Sequence, residues 1–223
     1  MYLIIPNVLN QDQLATLKTF LDGQDLVDGG ATAGRAGVGI KSNLQVPVDA
    51  KGYGAMEGMV ANAVNANGRF VLAAMPRHLR PIRFARYTPG MYYGRHIDNA
   101  VMGKNPPSRI DLAFTLFLSP PDTYEGGELV VEEPGTRRMF KLPAGSLVLY
   151  DGNSLHEVAE VTSGNRDVAV GWLQSMVRDP VKRRVLYELE QLRNVMFDKS
   201  GRSTEFDTLS RNVADLWRMW VEI

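Results

Sequence analysis

The sequence predicts a mainly β protein with helices on both sides of its β core, and three observations support this class. Short β-rich runs, most of them separated by Gly, Pro, Asn or Asp, follow one another from about residue 81 to 177, a pattern typical of a sandwich, barrel or jelly roll. Apolar residues at helical spacing precede this core and return after it. The 223 residues, 44% of them hydrophobic, suit one globular domain with or without an appendage.

The N-terminal part predicts a short strand, MYLIIPNVL, followed by a helix, NQDQLATLKTFLD. Asn10 is the expected N-cap of this helix, with Gln13 three positions later, and Gly23 is the expected stop. GGATAGRAGVG then predicts a loop and IKSNLQVPVD a strand. The interval from Ala50 to Leu79 predicts a second helical region, since its apolar residues repeat at helical spacing.

Within the core, the run DLAFTLFLS alternates between two faces. One face is apolar and is predicted to pack under the N-terminal helices; it carries Leu112, Phe114, Leu116 and Leu118. The other face is mixed, where a plain sandwich interior would be uniformly apolar. It carries Asp111, Ala113, Thr115, Phe117 and Ser119. This mixed face either lines a cavity or lies on the surface.

The last part, with PVKRRVLYELEQLRNVMFD and FDTLSRNVADLWRMWVEI, predicts a C-terminal helical extension. We place the main domain at residues 1–178 and the extension at 179–223. Two apolar stripes run along these helices, the first formed by Val185, Leu186, Leu189 and Leu192 and the second by Val213, Leu216, Trp217 and Trp220. Either both stripes pack on the flank of the core, or they form a homodimer contact, since Trp is favoured at interface centres.

Composition excludes several functions. Lys plus Arg and Asp plus Glu both number 25, so no excess of charge favours binding to nucleic acid or to an anionic membrane. There is no cysteine, which excludes disulfides, a thiolate nucleophile and cysteine-ligated iron–sulfur clusters. The apolar start is interrupted by Pro6 and Asn7 and does not resemble a signal peptide, and no apolar run is long enough for a membrane span. The sequence therefore predicts a cytoplasmic protein.

Without cysteine, any metal must be held by His, Asp or Glu, and the stretch YTPGMYYGRHID offers a His-x-Asp pair in a chain with three histidines. His96 and Asp98 lie on the same side of an extended segment, and His156 follows sixty residues later. Two histidines and one carboxylate are the ligand set of non-haem Fe(II) oxygenases, which leaves open positions for substrates. The alternative is a surface pair at His96 and Asp98, with His156 as a turn residue.

Arg166, ten residues after His156, favours the metal interpretation. Such oxygenases need two electrons, commonly from 2-oxoglutarate, whose distal carboxylate then needs a cation in a nearly dry pocket. Arginine suits this role because it is always charged and binds carboxylates through two hydrogen bonds. Alone, Arg166 at the start of a strand could equally be a solvated charge.

These features together resemble the bacterial PKHD-type hydroxylases, in the prolyl-4-hydroxylase-like branch of the Fe(II)/2-oxoglutarate dioxygenases. The similarity runs from about residue 28 to 179 and includes TAG with KSNLQ, RIDLAFTLFLSPPDTYEGGELVVE and PAGSLVLYDGNSLHEVAEVTSGNRDVAVGWLQSMVRD. It implies a double-stranded β-helix, or jelly roll. It also implies a set of site residues: His96, Asp98 and His156 as iron ligands, Arg166 as the 2-oxoglutarate anchor, and Tyr87 and Trp172 as residues lining the cosubstrate pocket.

The resemblance implies hydroxylation of a small-molecule or peptide substrate with release of succinate and CO2, and L-ascorbate as a candidate reductant. It does not identify the substrate or imply proline chemistry. Relatives often place a tyrosine at the position of Phe117 or a threonine at that of Leu129 to help bind the distal carboxylate, so Arg166 needs a hydroxyl partner elsewhere.

Two other functions compete with this interpretation. A non-enzymatic β-barrel that binds a metal or another ligand remains the alternative to an oxygenase. GRAGVGIKS approaches a P-loop, but Ile40 separates the glycine from the lysine, which argues against nucleotide binding.

Overall fold

The computed structural model describes residues 2–32, 39–133 and 135–222. The helices are α1 (Gln11–Asp22), α2 (Tyr53–Ala66), α3 (Gly68–Ala74), α4 (Pro180–Ser200) and α5 (Thr204–Trp220). The strands are β1 (Tyr2–Ile5), β2 (Val27–Asp28), β3 (Lys41–Ser42), β4 (Leu44–Gln45), β5 (Pro76–Leu79), β6 (Arg83–Tyr87), β7 (Tyr92–His96), β8 (Val101–Met102), β9 (Ser108–Arg109), β10 (Leu112–Phe117), β11 (Tyr124–Gly126), β12 (Leu129–Glu133), β13 (Thr136–Phe140), β14 (Leu147–Asp151), β15 (His156–Val158), β16 (Val161–Gly164) and β17 (Arg166–Ser175).

Two antiparallel sheets form the jelly-roll core. The major sheet runs in the order β1-β14-β10-β17-β6-β4-β2, with β5 also paired to β17, and the minor sheet runs β13-β12-β15-β7-β3. Two further ribbons pair β11 with β16 and β8 with β9. The predicted mainly β class and jelly roll are therefore confirmed.

The N-terminal helices cover the outer face of the major sheet, as predicted. Leu112, Phe114 and Leu116 of β10 belong to one buried cluster with residues of all three helices. Phe70 of α3 packs edge-on against Phe114, with ring centroids 5.9 Å apart. The alternation of DLAFTLFLS thus directs its apolar face to the helices.

The opposite face of β10 points between the two sheets. Ala113 and Phe117 join a second buried cluster with Leu129 and Val131 of the minor sheet. Thr115, which is 3% exposed, lines a pocket between the sheets. Of the two interpretations of the mixed face, the cavity lining is the one observed.

The predicted ends of α1 are confirmed. Asn10 and Gln13 form a reciprocal capping box, with both hydrogen bonds 2.9 Å long, and Gly23 is the C-cap. The helical prediction for Ala50 to Leu79 is wrong at its end. Met75 adopts a left-handed conformation at the end of α3, and Pro76 begins β5, which pairs with β17. A proline cannot continue a helix but is tolerated at the start of an edge strand.

The segment IKSNLQVPVD forms two strands instead of one. β3 pairs with β7 in the minor sheet, whereas β4 pairs with β6 in the major sheet. The chain therefore crosses from one sheet to the other at Asn43. The β core also extends beyond the predicted span of 81–177, because β1 pairs with β14 at the edge of the major sheet.

The C-terminal helices pack against the core and against each other. Leu186 of α4 and Val213 of α5 are buried with Met75 and Val177, and the remaining members of this cluster include Leu189, Leu216, Trp217 and Trp220. Packing on the flank of the core is thus observed for the whole second stripe and for Leu186 and Leu189 of the first, while Leu192 is exposed. The homodimer is an alternative that these contacts do not test, and the domain boundary at 178/179 stays a prediction, although Asp179 is the N-cap of α4.

Some predictions fall partly outside the described residues. These are the GGATAGRAGVG loop, the TAG motif and the segment that approaches a P-loop, each of which includes residues in the range 33–38. Among the described helices, none combines the length and apolar character that a membrane crossing requires.

Candidate metal and cosubstrate site

The minor sheet brings the three predicted metal ligands together. β7 and β15 are neighbouring antiparallel strands, and their register places His96 opposite His156. Asp98 follows two residues after the end of β7. One potential ligand atom from each of these three residues lies within 4.8 Å of the other two. One strand pairing thus brings together two histidines that are sixty positions apart in the sequence.

Hydrogen bonds to the backbone orient both imidazoles. Nδ1 of His96 lies 2.8 Å from the carbonyl oxygen of Gly94, and Nδ1 of His156 lies 2.9 Å from that of Ser154. A carbonyl only accepts, so each Nδ1 must carry the proton and donate it. The Nε2 atom of each ring is then left with a free lone pair, which is the form that binds a metal.

Burial affects the protonation of His96 and Asp98. It lowers the pKa of His96 to about 4, and the neighbouring His156 adds to that effect. At neutral pH the His96 ring is therefore uncharged and able to coordinate a metal. Burial also raises the pKa of Asp98, while the nearby His156 and the indole of Trp172 oppose this rise. Oδ2 of Asp98 is buried and has no hydrogen-bond partner in the described part of the chain.

Arg166 begins β17 and is 1% exposed. Within the described ranges, none of its three guanidinium nitrogens has a hydrogen-bond partner, and no carboxylate lies within ion-pair distance. Its guanidinium carbon lies 5.0 Å from the ring centre of Tyr87 and 5.5 Å from that of Phe117. A buried cation normally has a paired anion, so this arrangement fits an anionic ligand.

The two residues predicted to line the cosubstrate pocket, Tyr87 and Trp172, occupy different places. Tyr87 contacts Arg166 through its ring, whereas Trp172 lines the pocket beside Asp98. The hydroxyl that the sequence left unassigned is best matched by Tyr124. Burial lowers the pKa of Arg166, and the nearby Tyr87 and Tyr124 counteract that fall. The Tyr124 hydroxyl is itself buried and without a hydrogen-bond partner among the described residues.

The three predicted ligands line an open pocket of about 490 Å³, a volume that includes space open to solvent. Sequence analysis missed several lining residues, among them Lys41, Asn43, Gln45, Arg83 and Tyr150. Lys41, Asn43 and Gln45 lie in the quoted motif KSNLQ, but no local pattern marks them as pocket residues. Tyr150 could have been found from the alternation of SLVLYDG, which buries it on the pocket side.

Two imidazoles with free Nε2 atoms and one carboxylate fit Fe(II), whose oxygenases use this ligand set. The buried guanidinium without a partner fits the distal carboxylate of a dianion such as 2-oxoglutarate. The donor chemistry of the site therefore agrees with both groups.

Comparison with known proteins supports this chemistry. The sequence model of the 2OG-Fe(II) oxygenase superfamily matches residues 82–174, from the start of β6 nearly to the end of β17. A PKHD-type hydroxylase of Crocosphaera subtropica is 42% identical over 222 residues, and one of Picosynechococcus is 44% identical over 222 residues. Each alignment covers 100% of both chains.

Solved structures share the fold. A prolyl-4-hydroxylase of Pseudomonas putida superposes with a TM-score of 0.55 at 20% identity, over 78% of this chain and 92% of that one. HygX of Streptomyces hygroscopicus, solved with nickel and 2-oxoglutarate bound, gives 0.53 at 15% identity, over 78% and 82%. A prolyl hydroxylase of Trichoplax adhaerens, solved with a peptide fragment of hypoxia inducible factor, gives 0.53 at 19%, over 83% and 86%.

These comparisons decide against a non-enzymatic barrel. Because its whole length aligns with such relatives at more than 40% identity, the chain belongs to the PKHD-type hydroxylases and is a dioxygenase that depends on Fe(II) and 2-oxoglutarate.

Proposed function

We propose that His96, Asp98 and His156 hold the Fe(II) of this dioxygenase and that Arg166 binds the distal carboxylate of 2-oxoglutarate. One observation supports this assignment above the others. Two histidines with free Nε2 atoms and a buried carboxylate oxygen converge within 4.8 Å. When bound, Fe(II) and 2-oxoglutarate supply the oxidation of a substrate C–H bond by O2, with release of succinate and CO2.

The protein's own residues position these groups. The carbonyls of Gly94 and Ser154 fix the ring orientation of the two histidines. Arg166 supplies two parallel N–H donors for a carboxylate, and its burial makes that interaction stronger than it would be in water. The Tyr87 ring restricts the guanidinium from one side, and the Tyr124 hydroxyl is a further donor for the same carboxylate. Trp172 favours the ionised form of Asp98.

The substrate is proposed to be a small molecule or a peptide. The Trichoplax relative in fold was solved in complex with a peptide fragment, which supports a peptide as one of the two candidate classes. The present pocket is open to solvent, as either class of substrate requires.

Metal and 2-oxoglutarate binding can be tested separately. Calorimetric titration with Mn(II) or Co(II) is expected to give one site per chain in the parent and none in His96→Ala or Asp98→Ala. His78→Ala is the matched control, because His78 is the third histidine and lies exposed on β5. Retention of stoichiometric metal binding by His96→Ala would contradict the ligand assignment.

Arg166→Ala is expected to bind metal normally but to lose 2-oxoglutarate. Removing one partner of a buried charge pair costs roughly 3–5 kcal/mol, which is on the order of a hundredfold or more in affinity. Arg166→Lys should fall between parent and alanine, since it keeps the charge but not the two-donor geometry. The measurement is anaerobic titration of the metal-loaded protein with 2-oxoglutarate. Equal affinities of the parent and Arg166→Ala would remove Arg166 from the cosubstrate site.

A further inference from the structure

A bulge in β7 places Tyr93 on the same side of the strand as His96. Side chains three residues apart in a regular strand point to opposite faces. Here His96 pairs with His156 and Tyr93 pairs with Val158, so three steps along β7 correspond to two steps along β15. This extra residue is a β-bulge, a feature that often redirects a side chain beside a functional site. Because of the bulge, Tyr93 and His96 both line the pocket.

The Tyr93 ring stacks on the imidazole of His96. The two ring centres are 3.6 Å apart, and the ring planes are inclined to each other by 13°. The ring beside His156 is arranged differently, since Tyr150 lies 5.1 Å from it at an inclination of 58°. The two histidines of the site are therefore held in different ways.

The surroundings of His96 explain why a stacked ring matters there. His156 is 5% exposed, so close packing limits the movement of its ring, whereas His96 is only partly buried. The His96 imidazole makes one hydrogen bond within the described chain, from Nδ1 to the carbonyl oxygen of Gly94. A single hydrogen bond at one edge leaves the ring free to tilt, and a parallel ring against its face removes that freedom.

Tyr93 is itself held in place by β3. Lys41 of β3 pairs with Tyr93, and its Nζ lies over the Tyr93 ring, 5.3 Å from the ring centre. The N–H of Gly94, inside the bulge, donates to the carbonyl oxygen of Ile40 at 2.7 Å. A Cβ on Gly94 would lie 3.1 Å from Cβ of Ile40, so the two segments approach closely. The bulge is thus held between β15 on one side and β3 on the other.

We propose that Tyr93 is a positioning residue of the iron site, which holds the His96 imidazole by stacking so that its Nε2 is oriented for the metal before the metal binds. This inference rests on the proposed function, because it takes His96 as an iron ligand. A ligand that is already oriented loses less rotational freedom on binding, so the affinity for the metal is higher. The planar ring of Tyr93 has this role, and its hydroxyl does not.

The test is a calorimetric titration of the full chain with Co(II), without 2-oxoglutarate or substrate, so that a substrate contact of Tyr93 cannot affect the result. Tyr93→Leu and Tyr93→Met remove the planar ring and keep an apolar side chain, whereas Tyr93→Phe removes only the hydroxyl. Tyr92→Leu is the matched control, because Tyr92 is the adjacent residue of β7, is 38% exposed and does not line the pocket. The absorption spectrum of bound Co(II) and the Tm of the metal-free protein are measured for each variant.

Tyr93→Leu is expected to bind Co(II) about tenfold or more weakly than the parent, the usual effect of removing a residue that orients a metal ligand. Its Co(II) spectrum at saturating metal should also change, because the His96 ring is no longer fixed. Tyr93→Met should behave in the same way, so the test does not depend on the folding of one variant. Tyr93→Phe and Tyr92→Leu should bind Co(II) with the affinity and the spectrum of the parent.

Three results would overturn the inference. The first is a parent-like Co(II) affinity and spectrum in Tyr93→Leu or Tyr93→Met, even with a lower Tm, because Tyr93 would then have only a structural role. The second is an equal loss of affinity in Tyr93→Phe, which would assign the effect to the hydroxyl. The third is an equal loss in Tyr92→Leu, which would assign it to the strand as a whole. Failure of the parent to bind Co(II) would instead contradict the proposed function, so the two failures are distinguishable.

Discussion

Replacing Arg166 by Met is expected to make the metal-free protein more stable while removing its response to 2-oxoglutarate. Arg166 is 1% exposed, and its guanidinium has no hydrogen-bond partner among the described residues. A buried charge without a partner opposes folding, so its presence is better explained by ligand binding than by stability. Met keeps an unbranched apolar stem of similar shape and removes the charge.

The magnitude follows from two opposing contributions. An unsatisfied buried donor costs about 1–3 kcal/mol, and more when it is charged. The aromatic rings of Tyr87 and Phe117 lie 5.0 and 5.5 Å from the guanidinium carbon, and their attraction for the cation offsets part of this penalty. Cation–π contacts contribute about 0.5–2 kcal/mol. We therefore expect Arg166→Met to raise the free energy of unfolding by about 2 kcal/mol, or the Tm by about 4–8 °C for a chain of this size.

Arg183 supplies the matched control, because it is equally buried but paired. It is 1% exposed, and its guanidinium donates to Asp151 at 3.0 Å and to the carbonyl of Val177 at 2.9 Å. These contacts join α4 to β14 and to the end of the core. Arg183→Met leaves the carboxylate of Asp151 without this cation and should cost roughly 3–5 kcal/mol, which lowers Tm by about 6–20 °C.

The assay is thermal unfolding of the parent and both variants, each without ligand and with Zn(II) plus 2-oxoglutarate. At 2-oxoglutarate concentrations of a hundred times Kd, binding should add about 2.7 kcal/mol to the parent. Arg183→Met should show the same stabilisation by 2-oxoglutarate, starting from a lower Tm without ligand. Arg166→Met should show no stabilisation by 2-oxoglutarate. A fall in Tm for Arg166→Met as large as that for Arg183→Met would refute the reasoning, because Arg166 would then have a structural partner.

Three further predictions concern packing and assembly. Gly127 has φ +68°, and a Cβ there would lie 2.9 Å from Cδ of Arg166, so Gly127→Ala should weaken 2-oxoglutarate binding about tenfold in calorimetry without affecting metal binding. A Cβ on Gly171 would lie 2.3 Å from Cζ of Phe114, so Gly171→Ala should destabilise the protein by about 1–3 kcal/mol in urea unfolding, and an unchanged midpoint would contradict this packing. Because most of the apolar stripes on α4 and α5 are covered within the chain, sedimentation velocity at micromolar concentration should show a monomer; a dimer would require a different surface.

Local sequence patterns were sufficient to predict those elements whose faces and ends can be identified from their own residues. The alternation of DLAFTLFLS predicted both faces of β10, because side chains of a strand alternate whatever the strand pairs with. The capping box at Asn10 was equally predictable from the sequence, since its two partners lie three residues apart. The sequence failed at Pro76–Leu79 because the spacing of apolar residues extends past the point where a left-handed Met75 and a proline end the helix.

The site was predictable in part for a related reason. Few residue types can bind a metal or a buried carboxylate, and the candidates for these roles follow one another in a specific order along the chain. They are His96, Asp98, His156 and Arg166. Their convergence depends on the pairing of β7 with β15, which only the tertiary structure decides.

Periodicity and side-chain chemistry are sufficient to predict the β class, the candidate ligands and the candidate cosubstrate anchor. Tertiary contacts determine which histidine tautomers form, leave the buried Arg166 without a hydrogen-bond partner among the described residues, and bring Lys41 and Arg83 to one pocket. These properties depend on contacts between residues distant in the chain. The crossing of the chain at Asn43 illustrates the point, since it places Lys41 in one sheet and connects to the partner strand of Arg83 in the other. No local pattern in KSNLQ specifies that crossing, because each half is stabilised by a different sheet.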